Sequence, residues 1–215
     1  MAPVLCMVTD RRRHGERWEE TLVRRVAAAA RAGVALVQVR EPDLDDRDLL
    51  RLVERCVDVA AGTRCRILVN DRADVALAAR AHGVHLRGDS PLASRIRTLV
   101  GPGVLLGRSV HSAADAQAAY ADRSVEYLIF GTVFESTSKP GVAPAGLAGL
   151  KAAVAATPLP VLAIGGVTIE RFDGLAQTGA CGAAGIGLFA DGDDEALATR
   201  VAQVRRVFDS VRTGS

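Results

Sequence analysis

The residues whose pattern suggests chemistry most directly lie near the C-terminal end. Pro160-Val161-Leu162-Ala163-Ile164-Gly165-Gly166-Val167-Thr168 reads as a short buried strand, Val161 to Ile164, that stops at two glycines. A helix is predicted to follow, with Thr168 as N-cap ahead of Ile169-Glu170-Arg171-Phe172. Paired glycines let backbone N–H groups approach a ligand, and a helix start adds partial positive charge. A second Gly-rich strand, Gly182-Ala183-Ala184-Gly185-Ile186-Gly187, comes next. Two successive strands ending in glycine suit a phosphate; the plainer reading is two ordinary turns.

Other residues break the pattern of the strands they sit in. In Leu36-Val37-Gln38-Val39-Arg40-Glu41, Gln38 and Arg40 share one face and Val37 and Val39 the other. A buried parallel strand should be apolar on both faces. Gln38 and Arg40 therefore need partners, either a ligand or an internal salt bridge. The planar fork of Arg40 suits phosphate. Val69-Asn70-Asp71 ends another strand with a donor, an acceptor and a carboxylate; either polar residue could instead cap a helix. Ser109, in Gly107-Arg108-Ser109-Val110-His111-Ser112, could bind an anion or cap the next helix. His85, in Gly83-Val84-His85-Leu86, reads as a hydrogen-bonded core histidine rather than a catalyst. The loop from Phe130 to Gly141 carries Ser136, Thr137 and Ser138 ahead of Lys139, and hydroxyls with a lysine suit phosphate or pyrophosphate.

These residues need elements to hold them. Short apolar runs predict strands at Val4–Val8, Leu36–Arg40, Arg66–Asn70, Gly83–Leu86, Val104–Arg108, Tyr127–Phe130 and the two Gly-ended segments. Ala/Arg/Leu-rich periodic segments predict helices at Trp18–Ala32, Asp45–Ala61, Ala73–Ala81, a segment opened by Ser90-Pro91, Ala113–Ala121, Leu147–Ala156, the segment after Thr168 and Asp194–Val211. Eight strands alternating with eight helices predict an α/β single-domain (β/α)8 TIM barrel over residues 1–215, with an open doubly wound sheet as the rival. The barrel places a phosphate site at units seven and eight, where the glycines are.

Composition bounds the function. A net charge of +2 gives no argument for nucleic acid. No apolar run reaches a membrane span, and Met1 to Val8 lacks a signal-peptide pattern. Cys6, Cys56, Cys65 and Cys181 have no CxxC spacing and read as free thiols of a cytoplasmic protein. Of 27 basic residues only Lys139 and Lys151 are lysines, a bias that suggests high genomic GC or thermal adaptation. The expected partner is a small phosphorylated molecule, and a homo-oligomer is left open.

The order and spacing of Val37-Gln38-Val39-Arg40-Glu41, Val69-Asn70-Asp71, Gly83-Val84-His85-Leu86, the Ser136–Lys139 loop and Ile164-Gly165-Gly166-Val167-Thr168 resemble the thiamin phosphate synthase and TenI-like thiazole tautomerase superfamily. The resemblance covers nearly the whole chain. Synthases of that superfamily join a pyrimidine methyl diphosphate to a thiazole phosphate and release pyrophosphate. The resemblance implies that Gln38 and Arg40 sit at the pyrimidine and pyrophosphate positions, with Asn70 and Ser109 in the same pocket. It gives Lys139 to the pyrophosphate, Ser136 to the substrate and Ser138 to a phosphate. Gly165, Gly166, Ile186 and Gly187 match the thiazole-phosphate cradle, with Gly187 in place of a usual serine. Mg²⁺ is implied for a synthase only, with Asp71 as one ligand.

Two departures weigh on the pyrophosphate side. Pro42 stands where synthases carry a lysine, and Ser90 where they carry the second metal acid, although Asp89 is adjacent. The segments Gly107–Ser112 and Phe130–Glu135 are similar to the TenI-like branch, which aromatises a thiazole carboxylate phosphate by moving a proton. A histidine of that branch is Thr132 here, a poor proton shuttle. Glu135 or His111 would have to substitute. The reading that follows is a thiamin-biosynthesis enzyme binding a thiazole phosphate. The tautomerase is placed slightly ahead of the synthase, and a non-catalytic binding or regulatory protein comes third.

Overall fold

The computed structural model describes residues 3–136, 141–190 and 192–213. Eight parallel strands pair in sequence order, and the first closes on the eighth. They are β1 (Val4–Val8), β2 (Leu36–Val39), β3 (Arg66–Asn70), β4 (Gly83–Leu86), β5 (Leu105–Val110), β6 (Tyr127–Phe130), β7 (Val161–Ala163) and β8 (Gly182–Gly185). The sheet is a closed barrel, so the open doubly wound alternative is set aside.

Helices run between the strands: α1 (Trp18–Arg31), α2 (Asp46–Ala60), α3 (Ala73–Ala78), α4 (Ala93–Val100), α5 (Ala113–Ala121), α6 (Gly146–Ala155), α7 (Phe172–Gln177), α8 (Gly187–Ala190) and α9 (Asp194–Thr213). α2 shows why they form. Leu49, Leu52, Val53, Cys56 and Ala60 make one buried stripe at helical spacing. Asp45 caps its start by accepting from the Asp48 N–H at 2.8 Å, worth about 1 kcal/mol. No helix among the described residues is long and apolar enough to cross a membrane.

Two cores result. Val37, Val39, Ile67, Val69 and Val84 face outward into the layer shared with the helices. Cys6, Val8, Leu36, Leu68, Tyr127, Ile129, Leu162 and Ala184 fill the barrel itself. Period-two alternation thus sends Gln38, Asn70, His85 and Ser109 into the barrel mouth. Cys6, Cys56 and Cys65 are buried free thiols, and burial pushes Cys6 and Cys56 up to about 12.

Several local expectations change. β2 stops at Val39, which leaves Arg40 beyond the strand and exposed. β5 runs on to Val110, so Ser109 belongs to a strand; the cap of α5 is Ser112, which accepts from the Asp115 N–H at 3.0 Å. Ser90-Pro91 does not open α4, which starts at Ala93. Neither Asn70 nor Asp71 caps α3, whose N-cap is Arg72. Thr168 precedes a 3-10 turn, Ile169–Arg171, and makes no side-chain cap. β7 and β8 are shorter than predicted, and the extra helix α8 starts at Gly187.

Candidate active site

The C-terminal mouth of the barrel carries four polar groups. The first is on β2 and β3. Gln38 is buried, and its Nε2 donates to Asn70 Oδ1 at 2.8 Å. Arg40 follows two residues on, with its backbone N–H held by Thr9 Oγ1 at 2.9 Å. Among the described residues no hydrogen bond or ion pair takes its guanidinium, so the internal salt bridge is not formed. The next residue, Glu41, is buried and accepts the Arg11 N–H on both carboxylate oxygens. Burial pushes Glu41 above the usual carboxylate range.

The second group spans β4, β5 and β6. His85 is buried, with Nδ1 2.9 Å from the Tyr127 hydroxyl and Nε2 2.9 Å from Ser109 Oγ. Burial pushes the imidazole down to about 3 and the phenol well above its ordinary value. His85 is thus the hydrogen-bonded interior histidine that the sequence suggests. It is also the orienting partner of Ser109, a link no spacing in the sequence announces.

The third group surrounds Asp71, which adopts a left-handed backbone at φ +59°. Ser90 Oγ donates to its carboxylate, and Arg87 Nη1 lies 3.9 Å from the other oxygen. Ser90 also accepts the Arg87 N–H at 2.8 Å. Asp89, the adjacent acid, is exposed and paired with Arg87 instead. Among the described residues no three metal-ligating side chains cluster. With Asp89 turned to Arg87, Asp71 is the carboxylate that would hold Mg²⁺ here. That fits an ion that is commonly bound through one or two carboxylates, substrate phosphates and water.

The fourth group lines a cleft of about 640 Å³ under the loops that follow β7, β8 and β1. Gly165, Gly166, Ile186, Gly187, Glu135 and Ser136 all line it. Gly165 and Gly166 take φ of +101° and +60°, where glycine is favoured. A Cβ on Gly166 would lie 2.2 Å from the Glu135 carbonyl oxygen and 2.9 Å from Phe134 Cβ. That close backbone approach alone demands glycine there.

The sequence reading missed the arginines of this cleft: Arg12, Arg13, Arg171 and Arg200. They face Asp10, Glu135 and Glu170, so the lining is net positive. Arg12 bonds Asp10 at 2.7 Å and holds that carboxyl below the usual range. Arg171 donates to the Gly166 carbonyl and lies 4.5 Å over the Phe134 ring. The run Arg11-Arg12-Arg13 shortly after β1 was a visible signal, whereas Arg200, on the closing helix, had none.

The remaining expected residues lie elsewhere. Gln38, Arg40, Asn70, Asp71 and Ser109 do not line the cleft; they sit over β2 to β5. Thr132 is buried behind Gly165, and its carbonyl accepts the Ala145 N–H at 2.9 Å. His111 is exposed, with Nδ1–H donating to the Gly131 carbonyl. Ser138 and Lys139 lie outside the described residues.

A protein-family model described as thiamine monophosphate synthase matches residues 5–189. The chain is 37% identical over 198 residues to the thiamine-phosphate synthase of Roseiflexus castenholzii, covering 92% of this chain and 85% of that one. It is 39% identical over 181 residues to the thiamine-phosphate synthase of Anaeromyxobacter dehalogenans, covering 83% and 81%. Among solved structures, the thiamine phosphate pyrophosphorylase of Pyrococcus furiosus matches with a TM-score of 0.82 at 27% identity, covering 97% of this chain and 96% of that one.

Proposed function

This chain belongs to the thiamine monophosphate synthase family of thiamin-biosynthesis enzymes, and on that premise we propose that it is itself a thiamin phosphate synthase. The reaction breaks the C–O bond between a pyrimidine methylene and its diphosphate, and the bonding pair leaves with pyrophosphate. A thiazole ring nitrogen then supplies the pair for the new C–N bond.

One observation carries this reading over the tautomerase: the polar groups inside the barrel are neutral and stay neutral. Burial pushes the His85 imidazole down to about 3 and the Tyr127 phenol well above its ordinary value, which leaves neither poised to move a proton at pH 7. Gln38 and Asn70 instead offer fixed amide donors and acceptors, which suits binding a neutral pyrimidine ring. The position of the tautomerase histidine holds Thr132, which is buried and backs the glycine turn. The relatives above are synthases by name, so the order of the two readings expected from sequence is reversed.

In this proposal Gln38 and Asn70 hold the pyrimidine, and Arg40, whose guanidinium has no protein partner among the described residues, meets the diphosphate. On the superfamily resemblance, Lys139 serves the same anion and Ser138 binds a phosphate. Mg²⁺, when bound beside Asp71, supplies positive charge that the departing pyrophosphate needs. Gly165, Gly166, Ile186 and Gly187 cradle the thiazole phosphate inside a net positive cleft. Glu135 lines that cleft as an exposed carboxylate and has no proton to move in this reaction.

The test is direct. Purified protein with pyrimidine methyl diphosphate, thiazole phosphate and Mg²⁺ should form thiamin phosphate and pyrophosphate in equal amounts. Thiazole-phosphate binding without product would return the chain to the non-catalytic reading.

A further inference from the structure

Tyr127, His85 and Ser109 form one chain from β6 through β4 to β5. The two links are each 2.9 Å. Tyr127 and His85 are buried, while Ser109 is half-buried at the mouth. The phenol lies tight against β5, where a Cβ on Gly107 would fall 2.0 Å from Tyr127 Cζ. Packing therefore fixes where the hydroxyl points.

Donor and acceptor counts then fix the direction of every bond. A neutral imidazole carries one N–H. Burial keeps this ring neutral. Among the described residues, His85 Nδ1 is the one acceptor within reach of the Tyr127 hydroxyl. If Nδ1 held the ring proton, the phenol proton would be buried with no acceptor, at the full cost of desolvating it. The phenol must therefore donate to Nδ1. Nε2 then carries the ring proton and donates to Ser109 Oγ. Ser109 cannot donate back to the ring, and no other described residue accepts its proton.

We propose that Tyr127 and His85 are positioning residues that fix the Ser109 hydroxyl as a donor into the barrel mouth, toward an oxygen of the departing diphosphate. This rests on the synthase reading above. No proton moves along the chain; its work is to hold the direction of the last hydrogen bond. A donor already aimed at the place where negative charge grows favours the transition state over the ground state.

Two measurements test it. With histidine labelled by ¹⁵N, long-range ¹H–¹⁵N correlation spectra of the native protein at neutral pH should show His85 protonated at Nε2 alone. A ring protonated at Nδ1 overturns the proposal, whatever the enzyme makes. This spectrum needs no turnover, so failure of the relay and failure of the synthase reading are distinguishable. The second measurement is a double-mutant cycle on synthase activity. Tyr127→Phe should lower kcat about tenfold and leave both KM values nearly unchanged, the size expected for one neutral hydrogen bond. In a Ser109→Ala background the same substitution should change kcat less than about twofold. An equal loss in both backgrounds would mean that Tyr127 merely supports the fold. Should Tyr127→Phe not fold, the spectrum of the native ring decides.

Discussion

The Ser90 hydroxyl donates to the Asp71 carboxylate, and Arg87 faces the same group from 3.9 Å. A hydroxyl there satisfies Asp71 without adding charge. The proposed Mg²⁺ site would thus have one carboxylate on the protein side where the superfamily resemblance implies two. Ser90→Asp would set two carboxylates together. In EDTA their repulsion should lower the melting temperature by a few degrees, from about 1 kcal/mol. Mg²⁺ should restore it in the variant and leave the native protein almost unmoved. A variant indifferent to Mg²⁺ would show that position 90 does not reach the metal. Thiazole-phosphate binding, measured by calorimetry, should persist in EDTA for both proteins.

Gln38 donates to Asn70 across the mouth, and neither has another side-chain partner among the described residues. Gln38→Ala leaves Asn70 Oδ1 without its donor in a half-buried layer. The expected cost is about 1 to 2 kcal/mol of stability, or roughly 2 to 8 °C of melting temperature. The pyrimidine diphosphate should bind at least tenfold more weakly, since ring and amide lose a shared donor. Thiazole-phosphate affinity should not change. A matched loss for both substrates would argue against a pyrimidine pocket over β2 and β3.

A backbone that approaches an anion at Gly166 suggests that added bulk there would enter the anion's space. The geometry gives a different consequence: the added Cβ meets the Glu135 carbonyl at 2.2 Å and Phe134 at 2.9 Å, on a backbone at φ +60°. Gly166→Ala should therefore push the 134–136 segment away and cost about 1 to 3 kcal/mol in strain. Stability and thiazole-phosphate affinity should fall together in thermal unfolding and binding titrations. A fully stable Gly166→Ala protein that has lost only binding would restore the simpler steric account.

These cases show what the chain makes legible. Strand ends at Asn70, Leu86 and Phe130 were readable because an apolar run stops there. The inward face of Gln38 followed from period two. Arg40 did not follow, because the alternation holds only while the strand lasts, and β2 ends one residue earlier. Ser109 looked like a cap because Ser and Thr commonly precede helices; strand pairing with Ile129 keeps it in β5. The phosphate glycines were visible as types, but the role of Gly166 depends on a segment thirty residues earlier in the chain. Arg200 enters the cleft from the closing helix, where nothing in local sequence separates it from its neighbours. Such residues are brought in by closure of the barrel, which composition and periodicity do not encode locally.

Burial holds the His85 ring down to about 3, from an ordinary 6.5. In the unfolded chain that ring takes a proton once the pH falls below about 6.5. In the folded chain it does not until about 3. Between those values the unfolded state binds more protons, so folding stability falls as the pH falls through the window. The contribution is fully present above 6.5 and is lost progressively toward 3. His14 and His82 are lowered by burial too and have the same sign, so total acid sensitivity does not isolate His85. The difference from His85→Gln does. At about pH 7.5 the variant should be less stable by roughly 1 to 3 kcal/mol, because Tyr127 and Ser109 lose ring partners. On acidification that gap should shrink and then reverse, since glutamine has no proton to gain. Urea unfolding of both proteins at steps from about pH 7.5 to about pH 4 reads the gap directly. A gap constant across that range would mean that the ring is not held neutral, and the neutral interior on which the synthase reading rests would go with it.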